Sequence, residues 1–200
     1  RPRLLSATQR ADGPLFVMPR GIVLLLAALT AVTFLAEGAL LDWSALLITD
    51  KGLVSAAQGG LGYMLFSIAM TAGRFGGDAV TARVGDRSTM FWGGLLAIAG
   101  FAILLTAPVA LVAMAGFLLI GFGASNIVPV LFRRAGSQRA MPSALAVAAI
   151  TTTGYAGNLA GPAGMGFVAK SVGLPSAFWL LVALLVLVPC CAHWVTANRT

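Results

Sequence analysis

Six long apolar runs constrain this chain more than any other feature of its sequence. A helix needs roughly 20 mostly apolar residues to cross a hydrocarbon core of about 30 Å. Among the 200 residues, 59% are hydrophobic and only 10% are charged, which is more apolar surface than one water-soluble core can bury. The sequence therefore predicts an all-α membrane protein with six transmembrane helices. The runs cover residues 21–41, 55–73, 90–107, 109–132, 141–169 and 176–195.

The basic residues alternate between the loops in the way that six crossings require. Eleven arginines lie before the first run, in the second-to-third and fourth-to-fifth loops and after the last run, whereas Lys51 and Lys170 lie on the other side. Because the positive side is normally cytoplasmic, we expect both termini in the cytoplasm. We expect a cytoplasmic linker at 1–20, a six-helix transmembrane domain at 21–196 and a cytoplasmic tail at 197–200. The net charge of +7 is spread over these loops, which argues against a nucleic-acid partner.

Polar side chains inside the runs mark a candidate pathway for a solute or a proton. Glu37 is the only ionisable side chain that lies well inside any of the six runs. A charge at such a position is costly and usually functional. It lies about 6 Å from the predicted outer end of its helix, on a face with Thr30 and Thr33 that we expect to line a water-filled cavity. The alternative is that Glu37 reaches the interface or bonds a neighbouring helix. The other candidate pathway residues are Tyr63, Asn126, Tyr155 and Asn158.

The fifth run combines a packing face with a polar face. Small residues share one side of the helix and let two backbones approach closely; they are Gly154, Gly157 and Gly161. Tyr155 and Asn158 lie roughly 90° away, together with Thr151. Pro162 removes a backbone donor, so we expect the helix to break there. In the second run, a further polar stripe consists of Tyr63, Ser67, Thr71 and Arg74.

Nothing in the sequence indicates an enzyme, a metal or a cofactor. His193 lies at the end of the last run, and the neighbouring Cys190 and Cys191 lack zinc-site spacing. The nucleophile-elbow and phosphate-cradling glycine patterns are absent. We therefore predict no catalytic site, no metal site and no cofactor.

The segment from Gly73 to Arg87 resembles the cytoplasmic loop signature of the major facilitator superfamily of transporters. That signature is glycine, an apolar residue, a small residue, aspartate, then arginine and glycine with a basic end. Here Ala79 stands where arginine often follows the aspartate, and Asp86 interrupts the basic tail. The stretch at residues 37–44 is similar to the seventh helix of a bacterial branch of sugar-permease-like and drug-efflux-like facilitators.

The resemblance covers residues 21–195 and implies the C-terminal half of a twelve-helix fold in the bacterial inner membrane. Its implied partners are the lipid bilayer, a small solute and an N-terminal six-helix half that is absent from this chain. It implies secondary active transport, by symport or efflux, through alternating access around a midplane site. Since the chain starts with arginine rather than methionine, we expect a fragment of a longer protein. A half-transporter working as a homodimer and a non-transporting membrane scaffold remain as alternatives.

The resemblance also implies a gating loop. Asp78, paired with Arg74 or Arg83, would latch the cytoplasmic side against a helix of the other half. The implied gating residues are Gly73, Arg74, Gly77, Asp78, Arg83 and Gly85.

Overall fold

A computed structural model describes residues 20–197 as a bundle of helices, and this part of the chain contains no strand. The predicted linker and tail lie outside the described residues, apart from Arg20 and Ala197. The elements are α1 (Ile22–Asp50), a 3₁₀ turn (Ala56–Gln58), α2 (Leu61–Thr106), α3 (Ala110–Ala124), α4 (Ile127–Ser137), α5 (Ser143–Val172), α6 (Leu174–Leu185) and α7 (Leu187–Thr196).

Within the described residues, four helical stretches are long and apolar enough to cross a membrane. They are Ile22–Asp50, Ala56–Thr106, Ala110–Ser137 and Leu174–Thr196. Helix α5 has 30 residues, but its threonines, glycines, Asn158 and Lys170 make it more polar, and it is not among the four. The all-helical, multi-pass character of the chain is thus confirmed, whereas the count of six spans stays a prediction.

Helix α2 is 46 residues long and reverses direction at Gly85. Gly85 has φ 83° and ψ 158°, a conformation that residues with a Cβ rarely adopt. The hydroxyl oxygens of Thr81 and Thr89 lie 3.4 Å apart, although eight residues of straight helix would rise about 12 Å. We therefore describe α2 as two arms, an N-terminal arm at 61–84 and a C-terminal arm at 86–106.

The segment predicted to be a cytoplasmic loop is helical as far as the break at Gly85. Gly73, Arg74, Gly77 and Asp78 therefore lie on the N-terminal arm of α2, and their placement in a loop is wrong. The reason is that a charged residue ends an apolar run without ending the helix, because Arg and Asp are tolerated in helices once they are solvated or lie against other protein groups.

The C-terminal arm of α2 and helix α3 form the antiparallel hairpin that Pro108 predicts. A Cβ built on Gly100 would lie 2.8 Å from the carbonyl oxygen of Gly116, and one built on Gly116 would lie 2.8 Å from that of Gly100. Gly93 and Gly123 repeat this reciprocal contact two turns away, at 2.7 and 2.6 Å. Backbone approach of this kind is open only to glycine, so these four positions bring the two helices together.

Prolines act differently in the three helical stretches that contain them. The stretch with Pro129 is interrupted between α3 and α4, and the stretch with Pro189 is interrupted between α6 and α7. Helix α5 is continuous through Pro162, so the predicted break there is wrong. Pro162 leaves the carbonyl of Asn158 without its intrahelical donor. That carbonyl packs against Gly38 of α1, where a Cβ would lie only 3.1 Å from its oxygen. Helix α1 therefore packs closely against α5 at the point where the intrahelical hydrogen bond is missing.

Candidate functional site

A cavity of about 440 Å³ opens between α1, the N-terminal arm of α2, α4 and α5. It combines two ionisable groups, a phenol and an amide with aromatic and aliphatic side chains, which is the usual character of a small-molecule site. Its lining residues are Phe34, Glu37, Arg74, Val128, Pro129, Phe132, Tyr155 and Asn158.

Glu37 lies in the middle of α1 rather than near its end. Because α1 continues past Leu41 to Asp50, Glu37 is roughly 20 Å along the helix axis from either end. The predicted depth of about 6 Å is therefore wrong, since Asp42 ends the apolar run but not the helix. Glu37 Oε1 is buried and has no hydrogen-bond partner within residues 20–197.

Arg74 faces the same cavity from α2. It lies roughly 16 Å before the break at Gly85, and the N-terminal arm carries it to the level of Glu37. The two charges interact electrostatically, although the structure places no salt bridge between them among residues 20–197. The structure places the Arg74 side chain on the cavity wall, and its role in a cytoplasmic gate stays a prediction.

The threonine stripe on α1 does not line this cavity. Thr30 and Thr33 are buried, and their hydroxyls donate to the carbonyls of Leu26 and Leu29 at 2.8 Å. A buried threonine satisfies its hydroxyl in this way within its own helix, so the water-filled environment expected for the pair is wrong. Thr33 borders a void of about 10 Å³ beside Glu37 in the apolar core.

The glycine face of α5 packs on α1 and sets the position of the polar face. A Cβ on Gly157 would lie 2.5 Å from the carbonyl oxygen of Ala31, and one on Gly154 would lie 2.8 Å from the methyl group of Thr30. Gly161 has more room, with Leu35 at 3.5 Å. This close seam turns the neighbouring face of α5 toward the cavity, which receives Tyr155 and Asn158.

Tyr155 and Asn158 reach the cavity in different environments. Tyr155 is 59% exposed and makes an edge-to-face contact with Phe34, with ring centroids 5.7 Å apart. Asn158 is half-buried and presses against α1, where a Cβ on Gly38 would lie 2.6 Å from Asn158 Oδ1. The phenol can therefore turn into the cavity freely, whereas the amide is held at the seam.

Asn126 and Tyr63 lie outside the cavity lining. Asn126 Nδ2 donates to the Gly73 carbonyl at 3.1 Å and to Ser125 Oγ at 2.9 Å. Gly77 lies against the same amide, and a Cβ there would collide with it. Asn126 thus ties α2 to the α3–α4 junction and occupies the space beside Gly77, whereas Ser125 occupies the space beside Gly73. Tyr63 packs on Phe66 with ring centroids 5.5 Å apart.

The paired carboxylate at the arginine-rich end is Asp86, not Asp78. Asp86 forms ion pairs with Arg133 at 3.0 Å and with Arg134 at 2.7 Å, which connect the start of the C-terminal arm of α2 to α4. Between residues 20 and 197, Asp78 forms no salt bridge with Arg74 or Arg83, so the predicted pairing is absent.

Sequence reasoning missed the aromatic and α4 contributions to the cavity. Phe34 follows Thr33 directly and lies one turn before Glu37, so the helical period could have placed it on the face of Glu37. Pro129 and Phe132 lie beyond Ser125 and Asn126, where α3 ends and α4 begins. That interruption has no signal in the apolar run, which reads as one continuous span.

No protein-family model matches the chain. The sequence is 48% identical over 185 residues to an uncharacterized MFS-type transporter of Yersinia pestis, an alignment that covers 92% of this chain and 48% of the relative. It is 33% identical over 178 residues to the membrane protein MosC of Rhizobium meliloti, covering 89% of this chain and 44% of that protein. An uncharacterized transporter of Sinorhizobium fredii is 28% identical over 165 residues, covering 82% and 44%.

Two of these relatives are thus named as transporters and the third as a membrane protein. The chain spans about half the length of the relatives it matches.

Proposed function

We propose that the chain is the C-terminal six-helix half of a twelve-helix secondary transporter of the major facilitator type. It moves a small solute by alternating access, and the cavity between α1, α2, α4 and α5 forms its wall of the solute pathway. The relatives named as transporters, each about twice as long as this chain, support the proposal.

The observation that carries the proposal is the pair of opposite charges at mid-helix depth on one cavity wall. Glu37 and Arg74 lie far from the ends of α1 and of the N-terminal arm of α2, and both line the cavity. Ionisable groups at that depth are costly in lipid and are retained where they face a solute or proton pathway. A scaffold needs neither the charges nor a cavity of about 440 Å³.

Six crossings follow if both arms of α2 and the more polar α5 are counted as spans. The stretch Ala56–Thr106 is 51 residues long, which would rise about 75 Å if it were straight, more than twice a bilayer core. With its reversal at Gly85 it supplies two crossings. Helix α5 lines the cavity on one side and packs on α1 by its glycine face, so it needs less lipid-facing apolar surface than the other helices.

The polar cavity wall requires an opposite wall. Exposed polar groups in hydrocarbon cost several kcal/mol each, so Arg74 and Tyr155 are not expected to face lipid. The N-terminal half of a longer protein is the partner that we propose to cover them. With an even number of spans, both ends of the domain lie on the arginine-rich, cytoplasmic side.

Orientation is tested by cysteine labelling of the full-length protein in intact cells. Cysteines placed at Lys51 and Lys170 should react with an impermeant reagent added outside, whereas cysteines at Arg83 and Arg139 should not. The reverse pattern would overturn the topology.

The functional role of the cavity is tested with Glu37→Gln in the full-length protein. The amide keeps the volume and can still donate and accept hydrogen bonds, but it carries no exchangeable acidic proton. If Glu37 couples solute to protons, pH-driven accumulation should be lost while counterflow, which needs no net proton movement, persists in part. Asp42→Asn is the matched control, since Asp42 lies on the same helix, is exposed and does not line the cavity. Proton-driven uptake that survives in Glu37→Gln would remove Glu37 from the mechanism.

Two further results separate the alternative functions. Specific, saturable flux by the purified 200-residue chain in proteoliposomes would favour a half-transporter acting as a homodimer. A full-length protein that moves no solute across a broad panel, in either direction, would favour a scaffold.

A further inference from the structure

A second cavity, also of about 440 Å³, lies at the arginine-rich end of the bundle. It is enclosed by the start of α1, the end of α4, the α4–α5 connection and the end of α7. Its lining includes Gly21, Arg134, Gln138, Arg139, Trp194 and Ala197. It is separate from the cavity of Glu37, with which it shares no lining residue.

The charge of this second cavity is positive. Arg139 is exposed at its wall, and Arg134 lies beside it while engaged with Asp86. No carboxylate is among the described lining residues. An anion entering the cavity would therefore meet a guanidinium, which binds phosphate oxygens in a planar, two-pronged geometry.

The backbone that carries Arg139 is held in one conformation. Gln138 Oε1 accepts hydrogen bonds from the backbone N–H groups of Ala140 at 2.7 Å and Met141 at 3.1 Å, and its Nε2 donates to the Met141 carbonyl at 2.8 Å. One side chain thus forms three bonds with the connection between α4 and α5. Arg139 is therefore presented from a structured turn, and less conformational entropy is lost when it binds an anion.

Trp194 gives this cavity an amphipathic aromatic wall. Its indole is 58% exposed near the end of α7, the level at which tryptophan marks the boundary between hydrocarbon and headgroups. Ile22 and Val195 add apolar surface to the same cavity. Positive charge beside an amphipathic ring at the end of a membrane helix matches a molecule with a charged head and an apolar tail.

We propose that this cavity binds the headgroup of an anionic phospholipid, with the phosphate on Arg139 and the glycerol region against Trp194. The site is independent of the proposed transport function, since it rests on different residues and lies at the helix ends. Basic pockets between helices at the cytoplasmic surface commonly bind anionic lipids.

The test uses the full-length protein in detergent, titrated with phosphatidylglycerol or phosphatidylcholine, with bound lipid counted by native mass spectrometry and the melting temperature recorded. Phosphatidylglycerol should be retained and should raise the melting temperature, and phosphatidylcholine should do neither. Arg139→Gln should weaken retention about fivefold, the value of one basic contact at a membrane surface. Trp194→Leu should weaken it less, because the phosphate contact remains.

Arg87→Gln is the matched control, because Arg87 is an exposed arginine at the same end that does not line the cavity. Equal weakening by Arg87→Gln and Arg139→Gln would overturn the site in favour of diffuse attraction. Displacement of the lipid by equimolar inorganic phosphate would also overturn it, since the ligand would then be a soluble anion. Unchanged retention of phosphatidylglycerol by the Arg139→Gln variant would also overturn the proposed site, because Arg139 would then not hold the phosphate.

Discussion

Two helix pairs in this chain use glycine to bring backbones together, and they differ in what lies at the contact. Between the C-terminal arm of α2 and α3, glycine faces glycine: Gly93 meets Gly123 and Gly100 meets Gly116, with backbone atoms on both sides. Buried apolar side chains such as Phe101 surround this hairpin. Between α1 and α5, Gly154 faces the Thr30 methyl group and the Phe34 ring, and Gly38 faces the Asn158 amide.

The difference concerns which atoms can move. Reciprocal glycine contacts involve backbone on both sides, so the hairpin cannot shift without losing its packing. At the α1–α5 seam Gly157 also meets backbone, the Ala31 carbonyl, but the atoms nearest to Gly154 and Gly38 belong to side chains, which can rotate. The seam borders the cavity of Glu37 and Arg74. The hairpin is therefore suited to act as a rigid unit, and the α1–α5 seam is suited to small displacements that accompany changes of the cavity.

Gly116→Ala should have the largest effect on stability. Its Cβ would lie 2.8 Å from the Gly100 oxygen and 2.9 Å from the Leu104 nitrogen, both backbone atoms that cannot move aside. We expect the free energy of unfolding to fall by about 2 kcal/mol or more, the range of overpacking in a tight core. Thermal unfolding of the full-length protein measures it.

Gly136→Ala is the control, since a Cβ on Gly136 meets nothing within 4 Å. It should be neutral or slightly stabilising, because alanine favours a helix over glycine by about 1 kcal/mol. Equal stability of the two variants would show that the hairpin is not rigid, and the comparison would fail.

Gly157→Ala and Gly38→Ala should separate backbone from side-chain contacts within the α1–α5 seam. Gly157 faces the Ala31 carbonyl oxygen at 2.5 Å, so alanine there should cost about 1–2 kcal/mol of stability. Gly38 faces Asn158 Oδ1 at 2.6 Å and the Asn158 backbone oxygen at 3.1 Å, so a Cβ there would displace mainly the side-chain amide, and its backbone contact is looser than that of Gly157. Gly38→Ala should therefore cost less stability than Gly157→Ala but should reduce transport, because the amide moves within the cavity. A larger loss of stability in Gly38→Ala would contradict this ranking.

Two asparagines extend the comparison to hydrogen bonds. Asn126 bonds Gly73 and Ser125 between helices, so Asn126→Ala should lower the free energy of unfolding by about 1 kcal/mol. Asn158 lines the cavity, and Asn158→Ala should reduce transport with a smaller change in stability. Thermal unfolding measures the change in stability, and the transport rate per amount of folded protein measures the change in transport. Equal values of both quantities in the two variants would show that the amides do not differ in role.

Much of the fold could be predicted from the apolar runs and from the positions of proline and glycine in and between them. The hairpin around Pro108 follows from one proline between two apolar runs, and the glycine face of α5 follows from helical spacing. The reversal at Gly85 could not be located, because the positive φ of a single glycine leaves no trace in hydropathy. The continuity of α5 through Pro162 was also hidden, since the close support of Asn158 by Gly38 arises only in the assembled bundle.

The sequence predicted which residues line the candidate site better than it predicted how far these residues lie from the helix ends. Glu37, Tyr155 and Asn158 come together on one cavity, and their role in transport stays a prediction. Asp42 and Arg74 were taken as the ends of spans, so Glu37 was placed too shallow and Arg74 too far out. Arg74 ends the polar stripe of α2, and that stripe was the signal that it belongs with the cavity.

The smallest expected effect is at Lys51, which lies at the end of the hairpin where the C-terminal arm of α2 leads through Pro108 into α3. Its Nζ donates to the carbonyls of Leu105 at 2.7 Å and Leu104 at 3.3 Å, at the end of the C-terminal arm of α2. A cation there satisfies carbonyls that have no donor within the helix, so Lys51→Met should lower the free energy of unfolding by at most about 1 kcal/mol.

Burial lowers the pKa of Lys51 below its ordinary value of 10.5. The folded state then binds fewer protons than the unfolded state between the two pKa values, so wild-type stability should rise as the pH increases through that range toward 10.5. The rise should be absent in Lys51→Met, and unfolding measured over an alkaline pH series compares the two proteins directly. Parallel pH profiles would show that Lys51 is solvated, and the end of the hairpin would then be held by packing alone.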